Sequence, residues 1–140
     1  MPKSSITLST DNYTAEAKSR EHKYLVDTPI AKGGKDQGPT PVEYFLTAIG
    51  TCVAITLRVF AEKKEWDLGE ICVTVTEKTR FTASGIEKII HEEISVEKDI
   101  SEIQMQALYK QAKACPVAQM VANQTKIFSK VLPKKVAVEI

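Results

Sequence analysis

The 140-residue chain has no charge excess of either sign: 19 Lys and Arg stand against 18 Asp and Glu. A duplex-binding module carries a marked positive excess, so the balance argues against a nucleic-acid partner. Glycine and proline are sparse, at six each, while 43% of residues are hydrophobic. That combination excludes a collagen-like or disordered chain. Cysteine is scarce and odd in number, at Cys52, Cys72 and Cys115, which argues against a secreted disulfide framework. The two histidines, His22 and His91, sit in no CxxC or HxxxH spacing, so no metal is expected. The longest apolar stretch, 44–60, is broken by Thr47, Gly50, Thr51, Thr56 and Arg58. It falls short of the ~20 clean apolar residues of a membrane span. The N-terminus has no apolar core of signal-peptide length. These absences leave one soluble, cytoplasmic domain over residues 1–140, with thiols reduced at rest and no membrane partner. At this length roughly 68–70% of the unfolded surface can be buried without a disulfide staple.

What is present reads as α+β. Ile6 and Leu8, then Tyr13, Ala15 and Ala17, then Tyr24 and Val26, alternate with polar neighbours as half-buried strands do. Residues 28–41 hold Pro29, Gly33, Gly34, Gly38, Pro39 and Pro41 and form one long loop. A helix is predicted over 41–64, with Pro41 at its first position. Val42, Phe45, Leu46, Ile49, Val53, Ile55, Leu57 and Phe60 lie on nearly all its sides, so it must be wrapped by sheet from one subunit or two. A hairpin follows, with Ile71, Val73 and Val75 on one face of the first arm and a turn at Ala83-Ser84-Gly85. Ser101-Glu102-Ile103-Gln104 reads as a capping box. It opens a helix that turns Ile103, Met105, Leu108 and Ala112 inward. Cys115-Pro116 begins a short further helix through Val117, Met120 and Val121, and 135–140 alternates as a last strand.

Cysteine is the residue type whose setting can carry chemistry. With Pro116 at the first helical position, Cys115 is an N-cap, where the helix dipole favours a thiolate. The alternative is a small buried residue before a helix. Cys52 lies mid-helix after Gly50 and Thr51, a stretch read as open enough for a neighbour or substrate to approach. It is either a core residue or a nucleophile. Cys72, on a threonine face, reads as structural, and His91 as solvent-exposed. Arg58 falls roughly 600° around the helix from Cys52 and Glu43 roughly 900°, so both lie off its face. Glu43 suits the first turn of the helix. The runs Glu62-Lys63-Lys64-Glu65 and Lys134-Lys135 read as a solvated helix end and a polar turn.

The segment 38–52, GPTPVEYFLTAIGTC, resembles the helix motif of the OsmC/Ohr family, the osmotically inducible protein C and organic hydroperoxide resistance proteins. Asp27-Thr28-Pro29 with Gly33-Gly34 is similar to the preceding loop of that family, and Lys113-Ala114-Cys115-Pro116-Val117 to its second cysteine motif. The resemblance implies an OsmC-like fold, with an antiparallel sheet wrapped around a long buried central helix in an intertwined homodimer. It also implies a thiol peroxidase for organic hydroperoxides, and hydrogen peroxide as a further substrate. Cys52 would be the peroxidatic thiol and Cys115 the resolving one. An external dithiol, a lipoyl group in related proteins, would restore both, without metal or flavin. Family members hold the thiolate with an Arg from the N-terminal strands and a Glu before the helix. Arg20 and Glu43 are the nearest here, with Lys18 weaker, and Val42 stands where the family commonly has the Glu. The other readings of the fold are a non-catalytic binder with an apolar cavity at the dimer interface, and a thioesterase-like fold. The latter would need an acid or His aimed at the helix.

Overall fold

The computed structural model describes residues 1–10 and 12–133. Their backbone falls into two compact units: Met1–Tyr44 with the residues from Ile127 onward, and Phe45–Lys126. The strand expected over 135–140 and the turn at Lys134-Lys135 lie outside the described residues.

In the first unit, β1 (Ser5–Leu8), β2 (Ala15–Ser19) and β3 (His22–Val26) form an antiparallel meander in the order β1-β2-β3. The register stacks Leu8, Ala15 and Val26 in one cross-strand row and Ile6, Ala17 and Tyr24 in the next. Ala15 and Ala17 are buried, as alternation predicts, while Ile6 and Leu8 stay exposed. Tyr13 lies outside β2 and is exposed.

The long loop is organised by Asp27, whose side chain is only 1% exposed. Its carboxylate accepts hydrogen bonds from the Thr14 hydroxyl and from the backbone N–H groups of Thr28, Gln37 and Lys35. Burial alone would raise its pKa, but these donors together outweigh it and hold Asp27 below the usual carboxylate range. Gly34 packs directly on the Thr28 carbonyl, with no room for a Cβ.

Helix α1 runs over Pro41–Lys63, close to the predicted bounds. It starts with a capping box: the Glu43 N–H donates to Thr40 Oγ1 at 3.2 Å, and the Thr40 N–H to Glu43 Oε1 at 2.9 Å. In the second unit, β4 (Ile71–Thr82) and β5 (Gly85–Val96) form a two-stranded antiparallel sheet of twelve residues per arm. The half near Ile71, Val73, Ile94 and Val96 packs on the core. That core is Val53, Leu57, Ala61, Leu68, Leu108, Ala112 and Cys115. Burial of each large aliphatic side chain here contributes about 1.5–3 kcal/mol.

Only one stripe of α1 is buried in a single chain: Ile49, Gly50, Val53, Leu57 and Ala61. Phe45, Ile55 and Val59 remain 44%, 59% and 45% exposed. Gly50 is not a loose spot, as the sequence reading has it. A Cβ there would meet Val75 Cγ2 at 3.0 Å, so Gly50 is where helix and hairpin come closest. By length and composition α1 could cross a bilayer, contrary to the sequence expectation. In the structure it is a core helix, and the Arg58 guanidinium within it donates to the Gly69 carbonyl at 2.6 Å.

Helix α2 (Glu102–Ala112) opens with the expected box between Ser101 and Gln104. Leu108 and Ala112 turn inward as predicted, but Ile103 and Met105 face solvent. Ile103 sits in the first turn, before the helix reaches the core. Helix α3 spans Pro116–Ala122, with Val117 packed on the core and Met120 and Val121 exposed.

Candidate active site

Two of the four predicted site residues come together in the second unit. Cys52 points from the middle of α1 into a cavity of about 770 Å³. The walls are the α1 stripe through Ala48, Ile55 and Val59, with Phe60 beside it. Ala114, between α2 and α3, and Pro116, the first residue of α3, close the other side. Most of this surface is apolar. Cys52 is partly exposed, whereas Cys115 is fully buried behind it. Both are free thiols, and the Cys115 thiol lies near enough to Cys52 to interact with it.

Cys115 is the N-cap of α3, with Pro116 at the first helical position, as its sequence predicts. Its sulfur accepts the Ala118 N–H at 3.5 Å. The electrostatic outcome is the reverse of the dipole expectation. Burial pushes the Cys115 thiol up, and the neighbouring Cys52 adds to the rise; the N–H groups of Ala118 and Val117 only partly offset them. Cys115 is therefore a neutral S–H at physiological pH. The helix behind it is short, and one long N–H···S contact does not compensate for full desolvation.

The charged candidates have other surroundings. Arg20 occupies the two-residue turn between β2 and β3, with a left-handed φ of 54°. The Glu43 carboxylate is engaged by the Thr40 N–H at the start of α1. Both belong to the unit that ends at Tyr44, and both cysteines to the unit that begins at Phe45. The Thr40-x-x-Glu43 spacing is itself the signal for that cap. His22 and His91 are exposed, and so is Cys72, which pairs across the hairpin with Ser95. Among the described residues no cluster of His, Cys, Asp or Glu could hold a metal ion.

Two polar lining residues escape the sequence reading: Lys63 and Gln111. Lys63 belongs to the charge run read as a solvated helix end. Its periodicity relative to Cys52 could have placed it on the same face of α1.

Comparison with known proteins agrees with this architecture. The OsmC-like protein family matches residues 34–130, which include both cysteines. No curated protein sequence matches the chain. Among solved structures, a Psychrobacter arcticus 273-4 protein named for the osmotic stress induced and detoxification response is 20% identical. It superposes with a TM-score of 0.71 over 85% of this chain and 87% of its own. An organic hydroperoxide resistance protein OsmC of Legionella pneumophila is 14% identical, with a TM-score of 0.65 over 86% and 88%. The organic hydroperoxide resistance protein OhrB of Bacillus subtilis is 15% identical, with a TM-score of 0.61 over 86% and 90%. The α+β topology around a long cysteine-bearing helix and the extent of the family match lead to one assignment: the chain belongs to the OsmC-like protein family.

Proposed function

We propose that the protein is a thiol peroxidase that reduces organic hydroperoxides, with Cys52 as nucleophile and Cys115 as resolving thiol. The observation that carries this reading is the pairing itself. A partly exposed thiol faces a largely apolar cavity, and a second, buried thiol lies near enough to interact with it. Kinship with proteins named for organic hydroperoxide resistance supports it.

The Cys52 thiolate attacks the peroxide oxygen of ROOH. An S–O bond forms, the O–O bond breaks, and the leaving alkoxide takes a proton to become ROH. The product, Cys52 sulfenic acid, is two electrons more oxidised than the thiol. The Cys115 sulfur then attacks Cys52, forming the S–S bond and releasing water. An external dithiol reduces that disulfide by exchange and becomes a disulfide itself. The net reaction converts ROOH and a dithiol into ROH, water and the oxidised dithiol. Burial keeps Cys115 protonated and sheltered from peroxide, which suits the second step rather than the first.

The wider reading takes residues 1–140 as one domain and the exposed apolar face of α1 as covered by a second copy in a homodimer. It places the protein in the cytoplasm, with Arg20 and Glu43 as thiolate-supporting groups. A second reading, a small-ligand binder with spectator thiols, is favoured by one observation: the Glu43 carboxylate is already committed to Thr40.

Peroxide consumption with excess dithiol separates the two. The peroxidase reading expects Cys52→Ser to abolish turnover. With the dithiol left out, Cys115→Ser should reduce about one equivalent of peroxide per chain, stop, and retain a sulfenic acid that a dione probe traps. Full activity in Cys52→Ser would overturn the assignment of the nucleophile.

A further inference from the structure

A second cavity, of about 680 Å³, lies between β5, α2 and the connection that joins them. It belongs wholly to the second unit. Neither Cys52 nor Cys115 lines it, and neither do Phe45, Ile55 and Val59, the α1 face read as covered by a second copy. Its volume falls within the range of small-molecule sites.

Strand alternation puts Glu92, Ile94 and Val96 on one face of β5. Ile94 and Val96 pack on the core, and Glu92 stands across the hairpin from Val75. On α2, Met105, Leu108 and Tyr109 recur at the three- and four-residue spacing of one helical face and form the other wall. Leu108 is buried at its base, while Met105 and Tyr109 stay 51% and 63% exposed.

Glu92 is the one carboxylate on this apolar row of β5. It opens to solvent, yet the side chains around it desolvate it and raise its pKa. Among the described residues no hydrogen bond or ion pair engages it. Lys88, on the same face of the strand, is taken by Glu77 at 3.1 Å. Lys98 and Asp99 line the cavity further along the chain and offset each other's charge, which leaves Glu92 uncompensated. The Tyr109 ring already attracts a cation, with the Lys113 ammonium 4.4 Å from its centroid. The Met105 thioether adapts to varied apolar shapes.

We propose that this cavity binds a small amphiphilic organic ammonium ion. The ammonium pairs with the Glu92 carboxylate, and an apolar or aromatic body lies along Ile94, Met105 and Tyr109. An anion of the same shape is repelled by Glu92, and a neutral analogue gains nothing from it. The site stands apart from the peroxidase reading, because neither redox thiol lines it.

The full chain, isotope-labelled at its methionine methyl groups, is titrated with phenylbutylamine, phenylbutanol and phenylbutyrate and followed by NMR. The amine should shift the Met105 methyl signal and leave that of Met120, which does not line the cavity. Phenylbutylamine is protonated at neutral pH as a lysine side chain is. It should bind about fivefold tighter than phenylbutanol, the scale of a partly exposed ion pair, with phenylbutyrate weakest. Glu92→Gln keeps the shape and removes the charge, and should bring amine and alcohol to equal affinity. Glu92→Asp should retain the preference for the amine, and Tyr109→Ala should weaken both ligands alike. High salt should shrink the preference.

Equal binding of amine and alcohol by the wild type, or a preference that survives Glu92→Gln, overturns the proposal. A Met105 signal that none of the three ligands moves overturns it too. A dimer mass by sedimentation under the same conditions would then assign the cavity to a second copy of the chain.

Discussion

At the residue scale, the two cysteines differ in exposure. Cys52 meets the cavity and Cys115 does not. The raised pKa of Cys115 has a consequence for stability. Its ordinary value is 9.0, and the folded protein holds it above that. The folded state therefore binds the proton more tightly than the unfolded state does. The associated stability is complete below about pH 9 and is lost as pH rises through the folded pKa. Urea midpoints measured from pH 7 to 11 should fall toward alkaline pH, and Cys115→Ala should flatten that fall. An identical alkaline slope in the variant would contradict the account of Cys115. This direction was not legible in the sequence. The N-cap position is visible in Cys115-Pro116, but the burial that outweighs the dipole depends on the tertiary core that Cys115 shares with Leu57, Leu68 and Leu108. Asp27 was equally hidden, because its donors come from Thr14 and from the far side of the loop.

At the element scale, α1 was readable nearly to the residue because three local signals agree. Pro41 begins it, Thr40 and Glu43 cap it, and the apolar pattern carries through Ala61. The hairpin was readable for the same reason, from alternation and the turn before Gly85. What local signals leave open is which apolar positions meet a partner. Ile103 fits an inward helical period but lies in the first turn of α2, away from the core. Gly50 illustrates the opposite case. The residue looks like a weakness in a helix, yet it seats α1 on Val73 and Val75. Gly50→Val should cost about 1–3 kcal/mol through overpacking, although valine is the better helix former. Chemical denaturation measures this directly, and a stabilised variant would show that helix and hairpin are not in close contact there.

At the scale of the whole molecule, Phe45, Ile55 and Val59 lie along α1 and stay substantially exposed in the single chain. A row of large apolar side chains on one helix face points to burial against another surface. A second copy of the chain is the occupant that the proposed homodimer supplies. Sedimentation equilibrium should give twice the 15.5 kDa chain mass, and Ile55→Asp should shift the population toward the single chain. A single-chain mass for the wild type at micromolar concentration would remove the dimer from the account. The sequence pointed toward this arrangement, because a helix apolar on nearly every side needs more cover than one sheet provides. It could not show which face is left over, since that depends on where the β4–β5 hairpin docks.

The central claim is that Cys52 and Cys115 act as one redox pair. Reduced protein treated with one equivalent of an alkyl hydroperoxide, then alkylated and digested, tests it by mass spectrometry. The account predicts a peptide linking Cys52 to Cys115, two mass units below the sum of the free thiol peptides, with Cys72 alkylated. Unmodified Cys52 and Cys115, or oxidation confined to Cys72, would contradict it.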